Sequence, residues 1–459
     1  MDRIYESAIE RASAHSSGRD AEDVLPEFVS PEALDDLPAG RIFASLREFF
    51  YSARNRAASS LINLARELTA GGGGDGSRRE ESPDGPGRVI QLVSSFGYGD
   101  GVGNEIIALD RLLKESGITT GIWAWTADPR LGELGIRPEP YSTGRFRRAC
   151  RGNDIVLFHH SIYTPLADDL KGLSCRVVLV YHNITPPGCF APYSAYAAWL
   201  CGKGLRQTAA LKDVPSRCIA VSEFNRTDLV RLGYRCPVDV IPILIPFEEY
   251  GREPSAAVVE RMTDGGFTNV LFVGRIAPNK CQEDVIAAFA VYQKRYNSRS
   301  RLILAGSGEG CYKKRLLAYA GKLGVKNLIF TGHVPFEDIL GYYRTADLFL
   351  CMSGHEGFCI PLAEAFVFGI PVIAYDSSAV GETLGDGGIL LRKKDPELTA
   401  SLMDEVLASE EIKERMRRGQ RERLEELGER AVKEKYLRWI GEVTDVSAGA
   451  ADTEFLHEQ

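Results

Sequence analysis

Two glutamates, Glu356 and Glu364, stand with seven residues between them in GHEGFCIPLAEAFVFGIPVIAY, residues 354–375, a stretch that otherwise reads as protein interior. Pro361 suits a first helical turn, and Gly369 and Pro371 close it, so the pattern predicts a helix from about Ile360 to Phe368. Glu356 then lies in the loop ahead of the helix and Glu364 about one turn inside it. Both can reach a ligand held at the helix N-terminus, where unpaired N–H groups and the helix dipole favour an anion. Solvated surface glutamates fit poorly, because Phe358, Ile360, Leu362, Ala363, Phe366 and Val367 leave little polar face. A glycosidase pair would need carboxylates flanking a scissile bond at a set separation, which sequence spacing does not define.

Three further stretches carry chemistry. In FVGRIAPNKCQEDVIAAF, residues 272–289, Arg275 and Lys280 share a short loop between an apolar run and a helical one. A bidentate guanidinium and a point-charge ammonium beside a helix N-terminus make a pyrophosphate site. SSFGYGDGVGNEIIALDRLL, residues 94–113, is a glycine-rich turn leading into a helix, through which backbone amides around Gly103 can approach a phosphate. Its glycines at 97, 99, 101 and 103 never give GxGxxG, which lowers the odds of a nicotinamide enzyme. His159 and His160 end DIVLFHH, and His182 ends RVVLVYH. Histidines at two strand ends read either as satisfied structural residues or as the polar lining of a pocket. No DxD is present to hold a divalent ion, so a metal-free site is expected, with Arg275 and Lys280 neutralising the charge.

Positioning these groups requires a particular scaffold. Short β-branched runs alternate with helical segments from residue 88 onward: RVIQLVSSF, ITTGIWAW, DIVLFHH, RVVLVYH and CIAVS, then TNVLFVG, RLILAGSG, NLIFTG, DLFLCMS and PVIAYD. Strands this apolar are buried on both faces and joined by crossover helices, which means parallel sheets. In such sheets ligands bind beyond the carboxyl ends of the strands, where every group named above falls. Two doubly wound domains are expected, divided by the proline-interrupted VDVIPILIPFEEYG at 238–251. The chain of 459 residues is long enough for both.

Residues 71–87, GGGGDGSRREESPDGPG, read as a flexible linker behind an N-terminal appendage of residues 1–70. Within the appendage Ile42, Leu46, Phe49, Ala53, Ala57, Leu61, Leu64 and Leu68 recur at helical spacing, with arginines on the polar positions. Residues 36–70 are therefore a candidate contact for a membrane surface or a protein partner. The net charge of −8 argues against nucleic-acid binding. Ten cysteines without a CxxC pair suggest neither a disulfide scaffold nor a structural metal, and fit a reducing cytoplasm. No apolar run is long enough to span a bilayer, so a soluble protein is expected, bound at most to the cytoplasmic face of a membrane.

Taken together, these stretches resemble the retaining glycosyltransferases of family 4, over roughly residues 88–443. The strongest element is that family's EX7E motif, here Glu356 to Glu364 in HEGFCIPLAEAFVFGIPVIA; GRIAPNK resembles its GRL...K loop and GVGNE its Gly-Gly-x-Glu helix start. The resemblance implies a GT-B fold of two facing Rossmann-like domains. An N-terminal acceptor domain would cover 88–245 and a C-terminal donor-nucleotide domain 246–426. A final helix at 427–445 would cross back to the first domain, and a disordered tail would occupy 446–459.

The resemblance also implies roles. Glu364 would bind the ribose hydroxyls of a nucleotide diphosphate sugar, and Glu356 the transferred sugar. Arg275 and Lys280 would hold the diphosphate, aided by the amides of Phe358, Cys359 and Ile360 and the Gly103 turn. His182 matches a family histidine at the sugar end of the cleft, with His159 and His160 on the acceptor side. No cofactor is implied. The expected reaction is hexosyl transfer from a GDP- or UDP-sugar to a glycan or lipid-linked acceptor, in surface polysaccharide or lipopolysaccharide assembly. A sugar-nucleotide epimerase and a non-catalytic sugar-nucleotide scaffold are the alternatives. Two departures stand out: Cys359 replaces a glycine, so that an amide contact there needs a negative φ, and Val102 replaces the first glycine of the pair.

Overall fold

The computed structural model describes residues 87–308 and 310–453, with side chains as far as Val443. The expectations for residues 1–70 and for the linker up to residue 86 lie outside the described residues. Two compact units are formed: one contains Ile245–Val432, and the other contains the described residues up to Leu244 together with Lys433 onward.

The earlier unit is built on a seven-stranded sheet of β1 (Val89–Phe96), β2 (Thr120–Ala127), β3 (Glu139–Pro140), β4 (Ile155–His160), β5 (Arg176–Tyr181), β6 (Arg217–Ala220) and β7 (Val238–Val240). Its order is β3-β2-β1-β4-β5-β6-β7, and every pairing is parallel. The later unit carries β8 (Thr268–Val273), β9 (Ser300–Ala305), β10 (Leu328–Gly332), β11 (Leu348–Cys351), β12 (Val372–Tyr375) and β13 (Ile389–Leu391), in the order β10-β9-β8-β11-β12-β13, again all parallel. Both sheets therefore reverse their strand order once, between β1 and β4 and between β8 and β11, which is where ligands sit in open parallel sheets.

The strands match the apolar runs because those runs are buried on both faces. All six residues of β4 and all six of β9 are buried. Leu92, Phe158 and Leu179 anchor one core, and Leu271, Ile303, Phe349 and Val372 another. Burial of each such side chain contributes about 1.5–3 kcal/mol. The two-residue β3 and the three-residue β7 and β13 are too short to stand out and were not anticipated, although β13 is wholly apolar, Ile389-Leu390-Leu391. Their partners impose them: Trp123 pairs with Glu139, Ile219 with Asp239 and Ala374 with Leu390.

The last helix runs Glu429–Thr453, so the backbone stays helical into the stretch expected to be a disordered tail. Ala448, Ala450 and Ala451, with no proline among them, favour that continuation. No helix among the described residues is long and apolar enough to cross a membrane.

Candidate functional site

The loops after β8 and β11 meet at the reversal point of the later sheet. Gly306 and Gly308, after β9, allow this arrangement: a Cβ on Gly306 would lie 2.1 Å from the Gly274 carbonyl oxygen, and one on Gly308 would lie 2.3 Å from Ile276 Cβ. The Ile276 amide donates to the Ser307 carbonyl at 2.8 Å, and Gln282 Nε2 holds the Arg275 carbonyl at 2.9 Å. Asn279, which the sequence reading did not single out, ties the two loops together. Its carbonyl accepts from the Gly354 amide at 2.8 Å, and its side-chain amide donates to the His355 carbonyl at 3.2 Å.

This brace brings together Lys280 and Glu356, 76 residues apart in the chain, with Nζ 2.5 Å from Oε1 and both side chains largely shielded from solvent, at 14% and 8% exposure. Burial works against the ammonium, but the Glu356 carboxylate beside it outweighs this, and the lysine pKa is raised. The pair is therefore a fixed cation beside a fixed anion. Lys280 has two N–H donors beyond the one given to Glu356. Ser378 Oγ accepts from the Glu356 amide at 2.7 Å and fixes the loop. Arg275 is exposed, and its side chain makes no hydrogen bond or ion pair with a described residue.

The predicted helix forms as Ile360–Val367, with Pro361 in its first turn and Gly369 closing it at φ +61°. Glu364 lies one turn in. Tyr250 Oη donates to its Oε1 at 2.5 Å and Tyr343 Oη to its Oε2 at 2.6 Å. Burial raises the Glu364 pKa against these two donors. Each carboxylate oxygen keeps a second lone pair, so the group is oriented without being used up. Neither tyrosine was anticipated, since they come from other elements.

Cys359 caps this helix at φ +76°, ψ +61°, so the expected condition for its amide, a negative φ, is not met. The condition itself was wrong. Rotation about N–Cα moves the carbonyl and Cβ but leaves the N–H in the plane of the preceding peptide. The cysteine adopts the left-handed conformation that glycine takes freely, at a cost of about 1–2 kcal/mol. Its thiol turns into the core, 3.9 Å from Cys351 Sγ. At its start Pro361 has no N–H and the Leu362 amide donates to the Cys359 carbonyl at 3.1 Å, which leaves the Cys359 and Ile360 amides without intrahelical partners.

In the earlier unit the structure corrects several expectations. The helix Gly101–Glu115 does follow the glycine turn, but Asp100 caps it, its Oδ1 accepting from the Gly103 amide at 2.6 Å. A carboxylate already satisfies the donor that was expected to face phosphate. The histidines are interior groups. His160 is fully buried, with Nε2 2.9 Å from Thr208 Oγ1, and His159 is 2% exposed. His159 Nε2 lies 3.1 Å from Gln91 Oε1, its Nδ1 lies 2.9 Å from His182 Nε2, and His182 Nδ1 lies 3.3 Å from Glu105 Oε2. Both nitrogens of His182 are thus directed at neighbouring side chains in the interior of the unit. The alternation of a strand sends His159 and His160 to opposite faces of a sheet that helices cover on both sides.

Residues 262–423 match the family described as glycosyl transferases group 1. The chain is 25% identical over 227 residues to O-antigen chain mannosyltransferase B of Escherichia coli, covering 48% of this chain and 58% of that protein. It is 30% identical over 208 residues to D-inositol 3-phosphate glycosyltransferase of Thermobispora bispora, covering 42% and 48%. The chain thus spans about half the length of these relatives. Among solved structures, Anabaena HepE in complex with UDP-glucose superposes with a TM-score of 0.63 at 17% identity, covering 77% of this chain and 99% of that one. The fold is GT-B. In this GT-B chain the family match encloses β8 to β13, and with them Arg275, Lys280, Glu356 and Glu364.

Proposed function

We propose that this protein is a retaining glycosyltransferase of family 4, carrying the EX7E motif. It moves a hexosyl group from a GDP- or UDP-sugar to a glycan or lipid-linked acceptor in surface polysaccharide assembly. The observation that carries the reading is the Lys280–Glu356 pair, shielded from solvent at the reversal point of the later sheet and beside the N-terminus of the helix Ile360–Val367. A mannosyltransferase of O-antigen chains among the relatives supports the substrate class.

In this reading the free donors of Lys280, the exposed Arg275 and the helix amides of Phe358, Cys359 and Ile360 hold the diphosphate. They stabilise the negative charge that grows as the C1–oxygen bond to the diphosphate breaks. Glu356 accepts from a hydroxyl of the sugar, and Glu364, aligned by Tyr250 and Tyr343, accepts from the ribose. The acceptor hydroxyl attacks C1 on the face the diphosphate leaves, and its proton passes to a diphosphate oxygen, so the anomeric configuration is kept. His182 is given no part in contacting the donor.

A thermal-shift series with GDP- and UDP-hexoses tests donor binding, since a ligand of the folded state alone raises the melting temperature. One of them is expected to raise it in the wild type and much less in Lys280→Ala. If none raises it, the donor class is wrong. The anomeric configuration of the product, read by NMR, tests retention, and product formed without acceptor would favour an epimerase.

A further inference from the structure

The buried chain Gln91–His159–His182–Glu105–Tyr436 has a proton count that its geometry fixes. Gln91 Nε2 donates to the Ile106 carbonyl at 3.0 Å, so Gln91 Oε1 is the atom facing His159 and must accept. His159 then carries its proton on Nε2 and accepts at Nδ1, where His182 Nε2 must donate across 2.9 Å. A neutral His182 is left with a lone pair on Nδ1. That lone pair faces Glu105 Oε2 at 3.3 Å, and both atoms are fully buried without another partner. Two acceptors facing each other in a dry interior lack a hydrogen.

We propose that Glu105 is protonated in the folded protein and donates its O–H to His182 Nδ1, making it a buried titrating carboxyl that joins His182 to the C-terminal helix. The link to the helix is made by Tyr436 Oη, on the helix Glu429–Thr453, which donates to the other oxygen, Oε1, at 2.8 Å. The groups facing the carboxyl are Tyr436 from that helix, the Leu244 amide, and His182 backed by His159 and Gln91 from the sheet. Burial raises the Glu105 pKa from 4.5 to about 7, against the pull of Tyr436 and Leu244. Burial also holds His182 at about 3 and His159 well below its usual value, so the proton resides on the carboxyl. Between about pH 4.5 and 7 the folded state keeps a proton that the unfolded chain has lost. The contribution of Glu105 to stability therefore falls as pH rises through that window and is level above it, whereas His159, His160 and His182, held neutral by burial, make stability rise toward pH 6.5 in any variant that keeps them.

The test uses the full chain and needs no substrate. In Glu105→Gln the amide supplies the same donor to Nδ1 and the same acceptor to Tyr436, but it cannot titrate. Relative to Glu105→Gln, the wild type is expected to lose several degrees of melting temperature from pH 5 to 7.5, roughly a hundredfold in the ratio of their folding constants. Glu105→Gln should exceed the wild type above pH 7, its own profile rising toward pH 6.5 with the buried histidines. In Tyr436→Phe a donor to the carboxylate is lost, so the decline should extend to higher pH. Histidine ¹⁵N spectra at pH 6 should show His159 and His182 as neutral Nε2–H tautomers. A Glu105→Gln variant that fails to fold or melts with the wild-type pH profile would overturn the proposal. So would an imidazolium signal from His182, or a rise in melting temperature with Zn²⁺ that Glu105→Gln abolishes.

Discussion

Lys280 and Glu356 neutralise each other at 2.5 Å in a site that largely excludes water. Removing either partner leaves a buried charge unpaired. Lys280→Ala is predicted to lower transfer by a hundredfold or more, and Glu356→Gln similarly, with the far-ultraviolet spectrum unchanged. Glu364 should behave differently, because its two tyrosines aim it without neutralising it. Tyr250→Phe or Tyr343→Phe each removes one buried donor, and each is predicted to cost about 1 kcal/mol in urea denaturation. Both should raise KM for the donor severalfold with little change in kcat. Sequence spacing placed the two glutamates in a loop and one helical turn inside a helix because 3.6-residue periodicity and Pro361 are local signals. Nothing local announced Asn279, Tyr250 or Tyr343, since these meet the site only after distant strands pair. The histidines misled for the same reason: a strand end reads as a pocket rim until the helices covering both faces are known.

At the scale of elements, the helix Ile360–Val367 is held by an unusual cap. Cys359 occupies a left-handed position that glycine would fill without strain, yet its thiol packs against Cys351. Cys359→Gly exchanges relief of that strain for lost packing and is predicted to stay within about 1 kcal/mol of wild type. Cys359→Val, branched at Cβ where φ is +76°, should lose about 2 kcal/mol or more. Chemical denaturation of the three proteins checks the order. The long strands were legible as continuous apolar runs. The short β3, β7 and β13 were not, because edge strands of two or three residues are dictated by their neighbours. The glycine turn was read correctly as a turn into a helix. Asp100, which spends the Gly103 amide, stands inside that turn as an ordinary N-cap signal and was passed over.

For the whole molecule, two parallel sheets and their alternation of strand and helix follow from the apolar runs and the prolines at 238–251. Less legible was which unit the end of the chain joins. From Lys433 the C-terminal helix belongs with the seven-stranded unit, where Trp439 is 4% exposed and its Nε1 donates to Asp239 at 2.9 Å. Trp439→Ala is predicted to cost about 3 kcal/mol, read as a lower midpoint for that unit in calorimetry. The resemblance to family 4 supplied the expectation that the helix crosses back, and helical periodicity alone could not have told one unit from the other.

The account stands most directly on nucleotide diphosphate release from a panel of GDP- and UDP-hexoses, followed for the wild type beside Lys280→Ala and Glu356→Gln. At least one sugar nucleotide should be turned over by the wild type and by neither folded variant. Release at the wild-type rate by both variants, or by no protein with any donor and acceptor supplied, would contradict it.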